Sequence, residues 1–172
     1  MVERRWSRFM VKISERSKGA LRMGIAGLVL AMSLTLLVHL TAGSPAPSID
    51  RAYLQSIWNG WSTLDASHQS QFYAQGSNVY FDEAPLKYDS WEAYEEGAAK
   101  ILKTIKSAKF TINNDLKIHP AGNIVWATAT VDQDATLTDG KRDVTTFRWT
   151  VIFARENNKW LIVHEHVSRP TE

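Results

Sequence analysis

The sequence predicts an α+β domain in which helices come first and pack on one face of a mostly antiparallel sheet. Two patterns of apolar residues support this fold class. Near the start of the domain, Tyr53, Ile57 and Trp61 recur every four positions, which is the spacing of one face of a helix. From Lys109 onward, apolar and polar residues alternate in segments separated by turns, as in strands joined by hairpins.

Three helices are predicted before the main run of strands. Asp50 opens the first, and Asp65 can cap a short second helix that runs to Tyr73. The third begins at Asp89-Ser90-Trp91-Glu92, a capping box with the aspartate at the N-cap and the glutamate three residues later. The apolar face of this helix consists of Trp91, Tyr94, Ala98, Ile101 and Ile105.

One short strand and four longer ones complete the predicted domain. Residues 78–82 form the short strand, between the second and third helices. The first long strand begins at Lys109 and continues to Ile118, with an interruption at residues 113–115 that a β-bulge would explain. The remaining strands are predicted over residues 124–131, 142–155 and 160–168. The element order is therefore α-α-β-α-β-β-β-β.

A basic and hydrophobic region precedes the domain. Residues 1–43 hold seven basic and two acidic side chains, a net charge of +5, so the chain's total of +2 leaves −3 for the remainder. We divide the chain into a basic cytoplasmic region (residues 1–22), a hydrophobic signal or anchor segment (23–42), a linker (43–48) and the domain (49–170). Nucleic acid is not an expected partner, because the domain has no basic stripe.

The hydrophobic segment is interpreted either as a cleaved signal peptide or as a single-pass anchor, with a buried soluble helix as a third alternative. A basic flank precedes it and small residues follow it, as in a signal peptide. Its uncharged core would form a helix about 27 Å long, close to the roughly 30 Å of a bilayer core, as in an anchor. Both main interpretations predict a periplasmic or extracellular domain, attached to the membrane if the segment is not cleaved.

Several chemistries are not expected from this sequence. It has no cysteine, which excludes disulfides, thiolate metal sites, a cysteine nucleophile and a lipobox anchor. It also has no glycine-rich phosphate loop, nucleophile elbow or zincin motif. We therefore expect no cofactor.

The last predicted strand carries three ionisable side chains in an apolar context, His164, Glu165 and His166. Alternation places the two histidines on one face and Glu165 on the other. Burying such groups is costly unless they have partners or a cavity. The histidines could chelate a metal ion, but no third ligand has a suitable spacing, so we expect no metal and rather polar groups at a subunit interface.

The hairpin that leads into this strand predicts the neighbours of its residues. With residues 157–158 at the centre of the turn, Glu165 lies opposite Thr150 and is a diagonal neighbour of Arg148. We expect this face to line a cavity with Asp82, although a β-bulge would exchange the two faces. Alternatively, these residues have only a structural role: Glu165 and Arg148 form a buried ion pair, and Asp82 ends a strand. The outer face would carry the apolar row Phe147, Trp149, Val151 and Phe153.

Several segments carry a resemblance to a known family. They are Tyr73-Ala74, Val79-Tyr80-Phe81-Asp82, Ser90-Trp91-Glu92-Ala93-Tyr94, Asn123-Ile124-Val125-Trp126-Ala127, Arg148-Trp149-Thr150-Val151 and the final strand, residues 160–168. Residues 49–170 resemble the SnoaL-like branch of the nuclear-transport-factor-2-like (NTF2-like) superfamily, which includes ketosteroid isomerases, polyketide cyclases and scytalone dehydratase. The ending is also similar to the association domain of calmodulin-dependent kinase II. The resemblance implies a cone-shaped fold with N-terminal helices on a curved sheet, and it leaves the activity open.

Of three catalytic positions of the isomerases, one is occupied by a matching residue in this sequence. The general-base aspartate of the isomerases falls on Asp82. Their oxyanion-hole tyrosine falls on Trp58, which has no hydroxyl, and the protonated aspartate of that hole falls on Thr150. Steroid isomerisation is therefore not expected.

Two functions stay open at this point. The first is a module that binds a small apolar or carboxylated molecule in its cone and forms a homodimer through the outer sheet face. The second is a lyase, isomerase or cyclase in which Asp82 or Glu165 removes a proton next to a carbonyl. In that reaction Tyr80, Arg148 or a histidine would stabilise the oxyanion. The candidate ligand-binding residues are Tyr80, Trp126, Arg148, Thr150 and Glu165, with His164 and His166 in a second tier.

Overall fold

The computed structural model describes the domain, residues 48–171. The basic region predicted over residues 1–22 and the hydrophobic segment predicted over residues 23–42 lie outside this range. Within it, no helix has the length and apolar character needed to cross a membrane.

Two α-helices, one 3₁₀ helix and six strands make up the described chain. The helical elements are α1 (Arg51–Trp61), the 3₁₀ helix (Ala66–Gln69) and α2 (Trp91–Leu102). The strands are β1 (Val79–Phe81), β2 (Ile105–Ile112), β3 (Lys117–Ala121), β4 (Ile124–Leu137), β5 (Arg142–Glu156) and β6 (Lys159–Ser168). The predicted α+β class is confirmed, with one strand more than the sequence indicated.

Asp50, Asp65 and Ser90 cap the three helical elements. The side chain of each accepts a hydrogen bond from a backbone N–H of the first turn, which would otherwise lack a partner. The N-cap of α2 is thus Ser90 and not the predicted Asp89, because the Asp89 carboxylate accepts a hydrogen bond from Lys87 Nζ at 2.7 Å.

Two helices end earlier than their apolar patterns predict. The 3₁₀ helix ends before Tyr73, because Tyr73 forms a parallel bridge with Ile162 of β6. Helix α2 ends at Leu102, and Ile105 is the first residue of β2, opposite Leu137. Ile105 fits the spacing of the helix, but its long-range strand pairing overrides that local preference.

Strand β4 is longer than predicted and pairs with three other strands, β2, β3 and β5. Residues 113–115 lie between two separate strands, β2 and β3, and both of these pair with β4. The strand continues past Val131 to Leu137, with Asp132 and Asp134 exposed between buried neighbours. The strand order is β1-β6-β5-β4-β2, with β3 also on β4. Among the six strands of the described domain, β1 and β6 are parallel and the other pairs are antiparallel.

The α-helices pack on one face of the sheet, which we call the covered face, and the opposite face is called the uncovered face. The row Phe147, Trp149, Val151 and Phe153 belongs to the core, and each of these residues is at most 4% exposed. Trp58 of α1 contacts this row through the rings of Phe147 and Trp149. The prediction that the row lies on the outer face is therefore wrong.

A β-bulge in β6 is the reason for the exchange of faces. Near the turn, β5 and β6 follow the predicted register. Farther on, Ile152 pairs with His164, so Val163 is an extra residue and the alternation of β6 shifts by one. Glu165 consequently lies opposite Val151, on the covered face.

Candidate ligand-binding cavity

A cavity of about 310 Å³ lies between the α-helices and the covered face of the sheet. Its walls come from α1 and α2, from strands β2, β4, β5 and β6, and from the segments that follow β1, α2 and β6. Five aromatic side chains border it: Trp58, Trp61, Tyr94, Phe110 and Phe147. Four charged side chains also border it: Asp82, Glu83, Asp143 and Arg169. The cavity therefore suits a small molecule that is apolar over most of its surface.

Arg169, the first residue after β6 that lines the cavity, is fixed by two carboxylates. Its Nη1 and Nη2 donate to the two Asp143 oxygens at 2.9 and 2.8 Å, and its Nε lies 2.5 Å from Glu83 Oε2. The guanidinium also lies over the Phe147 ring, 5.2 Å from its centroid. Gln133 Nε2 donates to Asp143 Oδ2 at 2.9 Å. The hydrogen bonds with Asp143 raise the pKa of Arg169 and lower the pKa of Asp143, so both remain charged.

Asp82 follows β1 and is the third acid of the cavity wall. Burial is the main influence on its carboxyl group and raises its pKa. Hydrogen bonds from the backbone N–H of Glu83, at 2.7 Å, and from the Tyr94 hydroxyl oppose this shift. Arg169 lowers the pKa of Asp82 only from a distance, because its hydrogen bonds go to other carboxylates. Among residues 48–171, no cationic side chain forms an ion pair with Asp82.

Trp58 presents an unpaired hydrogen-bond donor in the cavity wall. The residue is 5% exposed, and its Nε1 has no hydrogen-bond partner among the described residues. Its ring packs against Phe110, Phe147 and Trp149, which fixes the orientation of the indole. A buried donor without an acceptor costs about 1–3 kcal/mol, so an acceptor supplied from the cavity would stabilise the domain.

Glu165 lies behind the cavity wall, in a buried hydrogen-bonded cluster. It is 1% exposed and accepts hydrogen bonds from the Tyr73 hydroxyl at 2.5 Å and from Trp149 Nε1 at 2.6 Å. The single Tyr94 hydroxyl hydrogen is near both acids and lowers the pKa of Glu165 as well as that of Asp82. Burial nevertheless dominates and raises the pKa of Glu165 to about 7.

The predicted neighbourhood of Glu165 with Arg148 and Thr150 does not form. Arg148 and Thr150 alternate with the buried row of β5 and therefore lie on the uncovered face, where they line a shallow groove with His166 and Ser168, whereas the bulge in β6 places Glu165 on the covered face. Arg148 Nη2 donates to a backbone carbonyl, that of Arg169, at 2.9 Å. Of the four residues expected to border one internal pocket, Asp82 borders the cavity, Glu165 lies behind its wall, and the two β5 residues lie on the uncovered face.

The other predicted site residues are also distributed over both faces. Tyr80 is buried, and its hydroxyl donates to the carbonyls of Ala74 and Ile162 at 3.3 Å, which makes it part of the core behind the cavity. Trp126 is 39% exposed on the uncovered face, where it stacks on a histidine ring. His164 and His166 contact the Phe81 ring edge-on, away from the cavity. Residues 48–171 contain no cluster of three or more possible metal ligands.

Sequence reasoning missed Arg169 and Asp143 as cavity residues. The position of Arg169 could have been predicted from the sequence, because residues 165, 167 and 169 share one face of a strand once Glu165 is placed inside. The position of Asp143 could not have been predicted, because it depends on the register between β4 and β5, which brings Asp143 next to Gln133. Trp58 was identified only as a mismatch, and its free N–H depends on the packing of α1.

The fold and the cavity define an NTF2-like domain, in which N-terminal helices enclose a pocket against a mostly antiparallel sheet. The chain belongs to the SnoaL-like domain family, which it matches over residues 52–172. No curated protein matches the sequence.

Solved structures share this fold at low sequence identity. An NTF2-like superfamily protein from Salmonella enterica is 21% identical with a TM-score of 0.62, over 71% of this chain and 92% of the other. A Xanthomonas campestris protein described as a calcium/calmodulin dependent protein kinase II association domain is 20% identical with a TM-score of 0.62, over 70% and 85%. A protein from Streptomyces avermitilis, proposed to be a dehydratase of the NTF2-like family, is 13% identical with a TM-score of 0.61, over 71% and 96%. At these identities the likeness concerns the fold.

Proposed function

We propose that the domain binds a small, largely apolar molecule in the cavity and that this molecule supplies a hydrogen-bond acceptor to Trp58. The observation that carries the proposal is the cavity with its five aromatic side chains, one of which, Trp58, has a buried Nε1 without a hydrogen-bond partner among the described residues. The volume of about 310 Å³ supports a ligand at the small end of the range usual for binding pockets. The NTF2-like fold supports it as well, because the helices and the covered face form a pocket without further elements.

A cavity-filling variant tests this proposal. Ala98 of α2 borders the cavity, so Ala98→Trp should occupy much of its volume. We expect the neutral dye N-phenyl-1-naphthylamine to bind the wild-type domain and to bind this variant at least tenfold more weakly, as measured by fluorescence titration. Thr128→Trp, on the uncovered face, is the matched control and should keep wild-type affinity. Equal dye affinity in a folded Ala98→Trp domain would contradict the proposal.

A second candidate is an enzyme that removes a proton next to a carbonyl group. It is favoured by Asp82, a carboxyl group that borders the cavity and whose pKa is raised by burial. Trp58 Nε1 would stabilise the oxyanion in place of the Tyr80, Arg148 and histidine groups expected earlier, which do not border the cavity. The Streptomyces protein proposed to be a dehydratase gives this candidate a parallel on the same fold.

Hydrogen exchange at carbon separates the enzyme from the binding module. The domain would be incubated with 2-tetralone in D₂O, and loss of the α-proton signal would be followed by NMR. An enzyme should accelerate exchange above the buffer rate, and Asp82→Asn should abolish the acceleration. Exchange at the buffer rate while the ketone is bound would favour the binding module.

We also propose that the domain acts outside the cytoplasm and forms homodimers through the uncovered face. Support for export comes from the basic residues before the hydrophobic segment, residues 23–42. A periplasm-dependent reporter fused after residue 172 should be active.

Support for a dimer through the uncovered face comes from Ile124 and Trp126, apolar side chains that are 38% and 39% exposed on that face. Light scattering should show a dimer at tens of micromolar that Trp126→Glu weakens.

A further inference from the structure

The charges around the cavity are unbalanced. Three carboxyl groups and one guanidinium border it, those of Asp82, Glu83, Asp143 and Arg169. The guanidinium forms its hydrogen bonds and ion pairs with Asp143 and Glu83, at 2.5 to 2.9 Å. The single cation is therefore occupied, and Asp82 remains without one.

The hydrogen-bond donors of Asp82 are neutral, and Arg169 stabilises its ionised form only from a distance. Its hydrogen bonds come from the backbone N–H of Glu83 and from the Tyr94 hydroxyl. Burial raises its pKa, which means that the ionised form lacks full compensation at this position. A positive charge brought into the cavity next to Asp82 would supply that compensation.

The aromatic wall of the cavity is also suited to a positive charge. The faces of aromatic rings attract cations, most strongly those of Trp and Tyr, and the attraction increases where water is excluded. Arg169 already makes such a contact, with its guanidinium 5.2 Å from the centroid of the Phe147 ring. Trp58, Trp61 and Tyr94 border the same cavity and make no cation–π contact within the described chain.

We propose that the cavity selects small organic cations, that is, protonated or quaternary amines with an apolar body, and that Asp82 is their counter-ion. This inference rests on the proposed binding function and specifies the class of ligand. It replaces the expectation of a carboxylated ligand, because a further negative charge would lie beside three acids of the wall. Trp58 would accommodate an oxygen acceptor elsewhere on the same molecule.

Two molecules of the same shape isolate the effect of charge. Phenyltrimethylammonium and tert-butylbenzene differ only in a nitrogen cation that replaces a carbon. Their dissociation constants would be measured by titration of the ¹⁵N-labelled domain, with the indole N–H signals of Trp58 and Trp61 as reporters. We expect the cation to bind the wild-type domain about tenfold more tightly than its neutral counterpart, on the scale of one cation–π contact plus a charge pair.

Asp82→Asn assigns that preference to one side chain. The variant should abolish the advantage of the cation and leave the affinity for tert-butylbenzene within about twofold, because the shape of the wall is kept. Asp89→Asn is the matched control, since Asp89 pairs with Lys87 outside the cavity, and it should retain the full advantage.

The possible outcomes distinguish this inference from the function on which it rests. Equal affinity for the two molecules, or tighter binding of tert-butylbenzene, would overturn the cation preference and leave the binding function supported. An advantage that persists in Asp82→Asn would overturn the role of Asp82 as counter-ion. If neither molecule shifts the indole signals, the cation preference is overturned, and the dye titration with Ala98→Trp decides the binding function separately.

Discussion

Asp82 and Glu165 are two carboxyl groups in contact with the same tyrosine, Tyr94, yet their surroundings differ in kind. Asp82 borders an open cavity and has no side-chain donor apart from Tyr94. Glu165 is almost fully buried and accepts further hydrogen bonds from Tyr73 and Trp149. Burial raises the pKa of both groups.

The comparison shows that a raised pKa does not by itself identify a functional acid. The hydrogen bonds that Glu165 accepts from Tyr73 and Trp149 connect the segment after the 3₁₀ helix to β5 and β6, which is a structural role. Asp82 has a free volume in front of it, which is what a ligand requires. Access to the cavity is therefore the property that separates the two acids.

Replacement of Glu165 should give the largest effect. Glu165→Ala leaves the buried donors of Tyr73 and Trp149 without an acceptor and creates a small void. We expect the free energy of unfolding to fall by about 3–5 kcal/mol, measured by urea denaturation. The comparison variant Asp82→Asn should lose less than about 1 kcal/mol. Similar losses in the two variants would remove the distinction between a structural and a cavity acid.

The pH dependence of the free energy of unfolding should report the titration of Glu165. A carboxyl group whose pKa is raised to about 7 in the folded state binds more protons there than in the unfolded state, where its pKa is near 4.5. Its stabilisation is thus complete below pH 4.5 and is lost as the pH rises to about 7. Relative to Glu165→Gln, which cannot titrate, the wild-type domain should lose roughly 2–3 kcal/mol across this interval. Parallel stability curves for the two proteins would refute the assignment.

Much of the fold could be predicted because local patterns and long-range pairing agree in it. The stripe on α1, the cap at Asp50 and the turn at residues 157–158 follow from neighbouring residues, and the structure has all three. Ile105 was assigned to a helix because it continues the apolar spacing of α2, but in the structure it pairs with Leu137 as the first residue of β2. The element boundary therefore failed where the helical pattern extended beyond the helix.

The candidate site could be predicted only in part because it depends on one extra residue in β6. Nothing in the sequence around Val163 marks it as a bulge, yet the bulge places Glu165 opposite Val151 instead of Thr150, and so on the covered face. Asp82 was expected at the cavity from the resemblance to the isomerases, and it borders the cavity in the structure. The charged group of Arg169, Asp143 and Glu83 depends on three separate elements, and no local pattern brings them together.

Removal of Arg169 should give a smaller effect than removal of Glu165. Arg169→Met breaks the paired hydrogen bonds to Asp143 and the contact with Glu83, but its side chain is 37% exposed, and water then replaces part of the loss. We expect a decrease of about 1 kcal/mol in the free energy of unfolding. The pKa of Asp143, followed by carboxyl NMR, should rise towards its ordinary value. An unchanged pKa of Asp143 would contradict the role given to the guanidinium.

The smallest effect is expected at Arg148, and the result is informative because the sequence alone allowed a large one. Had Arg148 been the buried partner of Glu165, Arg148→Met would leave an unpaired charge in the core at a cost of about 3–5 kcal/mol. Arg148 lies on the uncovered face, where it is exposed and donates to the Arg169 carbonyl, and the bulge places Glu165 on the opposite face. Arg148→Met should therefore change the urea-derived free energy of unfolding by no more than about 0.5 kcal/mol.

Arg148→Met should also leave the affinity of the dye for the cavity unchanged, because the substituted side chain lies on the uncovered face. A loss of several kcal/mol would mean that β6 has no bulge at Val163 and that Glu165 and Arg148 share a face.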